Sequence, residues 1–298
     1  MLQLKRYDKS LSMSEKRRIT KATGLMGAAT GLSRIAGLIR DMLVANIYGA
    51  GFVTDAFFMA FTIPNLLRRF FAEGSLTAAF VPTFSDVYHK QGEEEARRVA
   101  SICFTLLFLI MVAVTVVGVF ASPVIVRMIG YGFEDIPGKL ALTDTLNRLM
   151  FPYIFFVSLL ALVTGILNVR GHYFLPSFSP VLLNLSMIGC AYFLSPRFEE
   201  PILALAIGVL LGGLLQLLLQ FPLLLRFGYF FKPSFYFNHP AGSQISRLML
   251  PGIVGVAIYQ INVVVTRLLA SFLPEGSVSY LYYGQRLFEF PQGIIIAS

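Results

Sequence analysis

Tryptophan is absent, and the 298 residues include only two cysteines, three histidines and 13% charged residues. Each scarcity excludes something. Without Trp, any aromatic belt at a membrane surface must be built from the 13 tyrosines. Cys103 and Cys190 both lie in apolar runs and read as small packing residues, not as a disulfide or a metal pair. His89, His172 and His239 fall in predicted loops without metal-ligand spacing. There is no P-loop and no nucleotide-binding glycine fingerprint, so ATP is not a direct fuel and no cofactor is expected. Soluble domains average about 25% charged residues. A chain that is 56% hydrophobic, with mean hydropathy +0.72, cannot cover a water-facing surface. It reads as an all-α integral membrane protein, a polytopic helix bundle. Net charge +8 would suggest nucleic acid for a soluble protein. Here the excess of Lys and Arg on cytoplasmic loops explains it, and no nucleic-acid partner is expected.

Eight spans are predicted. A basic cytoplasmic tail covers residues 1–20. Spans follow at roughly 21–48, 54–87, 99–129, 140–169, 176–194, 202–225, 248–272 and from 277 onward. The loops test the orientation. Seven basic residues of the tail and its end (Lys5, Arg6, Lys9, Lys16, Arg17, Arg18, Lys21) join Lys90, Arg97, Arg98, Arg170, Arg226, Lys232 and Arg247 on one set of loops. The other set holds Arg127, Lys139 and Arg197. That asymmetry puts the N-terminus in the cytoplasm. The charged segment 88–98 is assigned no chemistry. Asp144 and Arg148, four apart, read as a local interfacial pair.

Against this apolar background, one stretch places charge where lipid would otherwise be. It runs Ser33-Arg34-Ile35-Ala36-Gly37-Leu38-Ile39-Arg40-Asp41, then Thr54-Asp55-Ala56-Phe57, then Pro64-Asn65-Leu66-Leu67-Arg68-Arg69 and on to Glu73-Gly74. At about 1.5 Å per residue, Arg34 lies roughly 20 Å from the start of its span. An arginine at a helix centre costs roughly 2.5–3.5 kcal/mol on the insertion scale, so these groups must face water, carboxylates or a ligand. Arginine suits pyrophosphate because its planar fork donates two parallel hydrogen bonds and keeps its proton. Asp41, Asp55 and Glu73 are placed to hold the arginines apart and solvated, and Arg69 and Glu73, four apart, to pair. Arg34 and Asp41 share a face of a continuous helix, whereas Arg40 points elsewhere unless Gly37 bends it. Two readings stand: a cation-lined path for a large anionic substrate, or internal salt bridges tying helices together.

A short internal repeat extends the pattern. Shifted by 225 residues, Leu43, Ala45, Gly51, Val53 and Thr54 fall on Leu268, Ala270, Gly276, Val278 and Ser279, and Phe57 and Phe58 on Tyr282 and Tyr283. This places the turn between spans one and two onto the turn between spans seven and eight. Two parallel six-helix lobes would give that. The chain then holds an N-lobe at 21–227, a cytoplasmic linker at 228–247 and the first two helices of a second lobe at 248–298. Arg286, about 15 Å beyond its turn, faces the first lobe's arginines.

These motifs, together with Gly276-Ser277-Val278-Ser279, Tyr282-Tyr283 and Arg286-Leu287 followed by Glu289-Phe290-Pro291, resemble the MurJ (MviN) family of bacterial lipid II flippases. That family lies in the multidrug/oligosaccharidyl-lipid/polysaccharide exporter superfamily. The resemblance covers nearly the whole chain after the tail. It implies two six-helix lobes around a central cationic cavity, alternating access, and residence in the bacterial inner membrane. It implies as cargo undecaprenyl pyrophosphate bearing the disaccharide-pentapeptide, moved to the outer leaflet for peptidoglycan synthesis beside other cell-wall synthesis proteins. By motif position, Arg34, Arg40, Arg68 and Arg286 match substrate-binding arginines, Asp55 an essential acid, and Ser33 and Glu73 residues near a periplasmic-side gate. Family members have about fourteen spans. The expectation is therefore that this chain alone does not transport. The drive would be membrane potential or an ion gradient. Rival readings are a flippase for another polyprenyl-linked oligosaccharide and a non-transporting membrane scaffold.

Overall fold

The structure, a computed structural model, describes residues 13–69, 75–236 and 239–297. The described residues form ten α-helices: α1 (Met13–Tyr48), α2 (Phe52–Arg68), α3 (Ser75–Gln91), α4 (Glu93–Ile129), α5 (Lys139–Met150), α6 (Tyr153–Val169), α7 (Phe174–Phe193), α8 (Ile202–Arg226), α9 (Pro240–Ser271) and α10 (Ser277–Ala297). No strand occurs among them, and the all-α class expected from composition holds.

Several boundaries differ from the sequence reading. The first helix begins at Met13 rather than 21, so part of the basic tail is helical; residues 1–12 lie outside the described residues. Within the expected second span lie α2, unbroken through Pro64 to Arg68, and α3 from Ser75; residues 70–74 between them lie outside the described residues. Segment 88–98, readable as a charged loop or a surface helix, is helical on both sides of one turn. It is the junction of α3 and α4 at Gly92, whose φ of 92° turns the chain, and Glu93, Glu94 and Glu95 then suit the positive start of α4. The fourth span divides at Phe151-Pro152, because Pro152 cannot donate to the preceding turn. α9 starts at Pro240, with His239 as its cap, so the later part of segment 228–247 is helical.

Five segments are long and apolar enough on their own to cross a membrane: Glu93–Ile129, Lys139–Val169, Phe174–Phe193, Ile202–Arg226 and Pro240–Ser271. α2 and α3 are too short to qualify singly, and α1 and α10 carry Arg34, Arg40, Asp41, Arg286 and Glu289. The charge that disqualifies them is the charge of interest.

α7 packs along α8 and α1, α2 against α5, and α6 against α8 and α3. The α7–α8 contact is close because Gly212 has no side chain. A Cβ there would lie 2.9 Å from the Leu183 Cα, too near for any substituent. α9 lies on α3 and α4, and α10 on α2 and α1. The last two helices therefore lean on the first four and close a space beside them.

The helix ends sort into two groups, as antiparallel alternation requires. At one end Glu93 bonds Arg170 (2.7 Å) and Arg97 (2.9 Å), and Arg97 donates to the Phe227 carbonyl (3.1 Å). This gathers the junctions after α3, α6 and α8. At the other end Tyr48 bonds Ser195, Gly132 N–H donates to Ser271 Oγ (3.0 Å), and Lys139 meets Asp55 (3.0 Å). This gathers the turns after α1, α4, α7 and α9. Asp144 and Arg148 pair at 2.9 Å as the spacing suggests. Asp144 also accepts from Ser122 at 2.5 Å, which ties α5 to α4.

A shared arginine-lined cavity as the candidate functional site

Arg40 and Asp41 sit consecutively on α1, yet their side chains meet. Arg40 Nε and Nη2 donate to Asp41 Oδ1 at 2.9 and 2.7 Å. The long guanidinium stem turns across the helix face without a bend at Gly37, so helical spacing alone misplaced it. Arg40 Nη1 donates to Asn184 Oδ1 on α7 at 2.8 Å, and Asn184 Nδ2 donates to the Ser33 carbonyl at 3.0 Å. Asn184 thus reads both polar ends of the same stretch of α1.

Arg286 arrives from α10. Its Nη1 bonds Glu289 at 2.9 Å, and its Nε lies 4.0 Å from Asp41 Oδ2. The hydroxyl of Tyr282 accepts from both Arg40 Nη2 and Arg286 Nε, each at 3.3 Å. A single phenol therefore bridges arginines from the two halves of the chain. Phe58 stacks on the Tyr282 ring at 3.9 Å between centroids and fixes it. Arg68, near the end of α2, is oriented by Asn65 Oδ1 at 3.0 Å.

These groups open onto one space. Arg34, Arg40, Arg68 and Arg286, from three helices, all line a cavity of 590 Å³, together with Ser33, Asn184 and Gln216. A smaller cleft of 220 Å³ adjoins it and takes in Asp41 and Glu289. Arg34 has no ion pair among the described residues, and its Nε is buried without a hydrogen-bond partner. The four cations are thus not a set of closed salt bridges. Among the described residues they outnumber the carboxylates, Asp41 and Glu289, of the cavity and its adjoining cleft, and that positive charge suits an anion with several oxygens.

Asp55 is not in this cavity, contrary to the reading that grouped it with the arginines. It starts α2, at the far end of the bundle, and is 1% exposed. Its Oδ2 takes Lys139 Nζ at 3.0 Å and Gly276 N–H at 2.8 Å; its Oδ1 takes Ser279 N–H at 2.9 Å and Ser279 Oγ at 2.6 Å. Lys139, read from sequence as a loop cation, is itself 1% exposed. Arg69 leaves the cavity as well, and its guanidinium lies 5.5 Å from the Tyr259 ring centre. Glu73, its expected partner, lies outside the described residues. Among the described residues, no group of three or more His, Cys, Asp or Glu side chains is placed to hold a metal ion.

Comparison with known proteins is decisive at this point. The sequence model of "Lipid II flippase MurJ" matches residues 44–298. The chain belongs to the lipid II flippase MurJ family. A probable lipid II flippase MurJ from Vibrio cholerae is 42% identical over 287 residues, covering 93% of this chain and 54% of the relative. The lipid II flippase MurJ of Burkholderia cenocepacia is 37% identical, covering 89% and 52%. A solved lipid II flippase MurJ in an inward closed conformation superposes with TM-score 0.75 at 31% identity, over 90% of this chain and 55% of that one. A MOP superfamily transporter from Pyrococcus furiosus shares the fold alone, with TM-score 0.66 at 15% identity. These family members are named as flippases, not catalysts, and a chain of this family with these spans is a multi-pass protein of the bacterial inner membrane. The chain spans about half the length of the curated relatives it matches.

The geometry also brings in residues that the sequence reading passed over. Asn184, Tyr282 and Lys139 complete the site and its far end, yet none was singled out as functional. The signal for Asn184 was present: it is a lone amide inside an apolar span. Lys139 gave none, since it follows Pro137-Gly138 and looks like a loop residue.

Proposed function

We propose that this chain forms the cation-lined half of a flippase that carries lipid II, the undecaprenyl-pyrophosphate disaccharide-pentapeptide, from the inner to the outer leaflet. The observation that carries this reading is the convergence of Arg34, Arg40, Arg68 and Arg286 from three helices on one 590 Å³ cavity. Guanidinium groups lining one cavity bind a pyrophosphate bidentately and hold their charge throughout. The cavity volume is in the usual range for a ligand site. The polyprenyl tail, being apolar, stays in lipid while the headgroup occupies the cavity.

In this proposal residues 21–227 act as the N-lobe, 228–247 as the cytoplasmic linker and 248–298 as the start of the second lobe. The N-terminus faces the cytoplasm, as the lysine and arginine asymmetry requires. Asp41 tunes Arg40 and Arg286, while Ser33, Asp55, Arg69 and Glu73 serve gating. Other cell-wall synthesis proteins are the natural neighbours of such a flippase, and membrane potential or an ion gradient supplies the drive.

The test is complementation of a flippase-depleted bacterium with a full-length family member in which this chain replaces the matching segment. Arg34→Ala, Arg40→Ala, Arg68→Ala and Arg286→Ala are expected to abolish rescue at normal membrane levels. Loss of protein from the membrane in all four would instead indicate a scaffold. Retention of rescue in all four would remove the cavity from the transport path. In nanodiscs, purified protein is expected to bind lipid II in competition with undecaprenyl pyrophosphate. Equal competition by a polyprenyl-linked saccharide of another headgroup would favour a flippase of different cargo.

A further inference from the structure

Arg267, on α9, is a buried arginine that the cavity above does not use. It is 6% exposed, and among the described residues its one hydrogen bond runs to the Val278 carbonyl at 3.4 Å, with no carboxylate within ion-pair distance. Its guanidinium lines a compact polar pocket between α2, α9 and α10, together with Arg69, Gln260, Gln285, Arg286 and Glu289. Glu289 is already engaged by Arg286 at 2.9 Å and by Gln285 at 2.9 Å. Among the described residues, three guanidiniums against one carboxylate give the pocket a formal surplus of two positive charges. Gln260 is 4% exposed, and its Oε1 is buried without a partner. A buried amide left unbonded is costly and calls for an occupant.

The pocket holds 50 Å³. A single water needs about 10–15 Å³ by the same measure, so there is room for a small ion with a little water and not for a pyrophosphate. The two spaces share Phe61, Asn65 and Arg286 along a common wall, and the consecutive arginines part there: Arg68 lines the large cavity and Arg69 this one. We propose that Arg267, Arg69 and Gln260 form a separate site for a small monovalent anion, of which chloride is the probe of choice. The anion neutralises Arg267, whose charge would otherwise be buried without compensation. The bound ion gives Gln260 its hydrogen bond through a shared water, since an amide presents both a donor and an acceptor. The site stands independently of what cargo the large cavity takes.

The experiment is saturable binding of radiolabelled chloride to the purified chain in nanodiscs, with gluconate replacing chloride at constant ionic strength. Thermal unfolding is followed in the same two salts, because a ligand bound only by the folded state raises its stability. The chain is expected to bind chloride and to unfold at higher temperature in chloride. Arg267→Gln is expected to weaken binding about tenfold or more, as loss of a charge-assisted hydrogen bond does. Arg34→Gln, altered only in the large cavity, is expected to bind normally. Arg267→Lys, which keeps the charge, serves if Arg267→Gln fails to fold; it is expected to bind with reduced affinity. Absence of saturable chloride binding to the unaltered chain overturns the proposal. So does unchanged affinity in both Arg267 variants, or loss of binding in Arg34→Gln, which would place the ion in the large cavity.

Discussion

Asp55 and Glu275 cap each other's helices. Asp55, in the first turn of α2, accepts from the N–H groups of Gly276 and Ser279 at the start of α10, at 2.8 and 2.9 Å. Glu275, just ahead of α10, accepts from the N–H of Phe52 at the start of α2, at 2.9 Å. Helix starts carry unsatisfied donors and partial positive charge, and here each half of the chain supplies the carboxylate for the other. Gly276, at φ 91°, makes the tight approach possible, since a Cβ there would meet the Ala50 carbonyl at 3.3 Å.

This end of the bundle should therefore behave as one coupled unit. Lys139→Met leaves Asp55 a buried carboxylate without its cation, and Asp55→Asn leaves Lys139 a buried cation without its anion. Each is expected to destabilise the protein by on the order of 3 kcal/mol. The double variant should lose less than the sum of the two by at least about 1 kcal/mol. Thermal unfolding in detergent measures all three, and strict additivity would show that the pair is not energetically joined.

Tyr282→Phe separates the bridging hydroxyl from the ring that carries it. The ring's stacking on Phe58 is retained, and Arg40 and Arg286 each lose an acceptor at 3.3 Å. Hydrogen bonds to charged groups contribute about 1.5–3 kcal/mol, so a transport rate limited by arginine placement should fall about tenfold or more. The protein level in the membrane should not change. Rescue of a depleted strain over an expression series gives the readout, and full rescue at low expression would show the bridge to be dispensable.

Water access distinguishes the cavity from the packed interior. Neither native cysteine lines the large cavity, and Cys190 is buried. In a chain whose two cysteines are replaced by serine or alanine, Arg34→Cys and Arg68→Cys should react with a charged, membrane-impermeant thiol reagent. In the unaltered chain, Cys190 should not. Equal labelling of all three, or of none, would contradict a wet cavity beside a dry core.

Gly212→Ala tests the α7–α8 contact. The added methyl meets the Leu183 backbone at 2.9 Å, which cannot yield without separating the helices. Overpacking of this kind costs about 1–3 kcal/mol. The unfolding temperature should drop, and a variant as stable as the parent would show that α7 shifts freely.

Much of this was legible in the sequence, and the failures share a cause. Charge inside an apolar background marked Arg34, Arg40, Arg68 and Arg286 because a bilayer penalises each of them, and the cavity joins all four. The repeat made the turns at 49–51 and 274–276 equivalent; that they meet and exchange caps is seen only in the structure. Spacing arguments failed where a side chain is longer than the periodicity that was used to aim it. Arg40 reaches its neighbour Asp41 across the helix face. They failed again for Asp55, since a carboxylate near arginines in sequence need not be near them along a helix axis. Lys139 was invisible because burial at a helix start depends on which distant strip of chain arrives there, and no local pattern in 134–139 records α2.

The adjacent arginines at the end of α2 have a mechanical consequence. Successive residues of an α-helix project about 100° apart, so Arg68 and Arg69 point into different chambers from the same stem. A turn of this one rod by a single residue's worth of angle would withdraw one guanidinium and present the other.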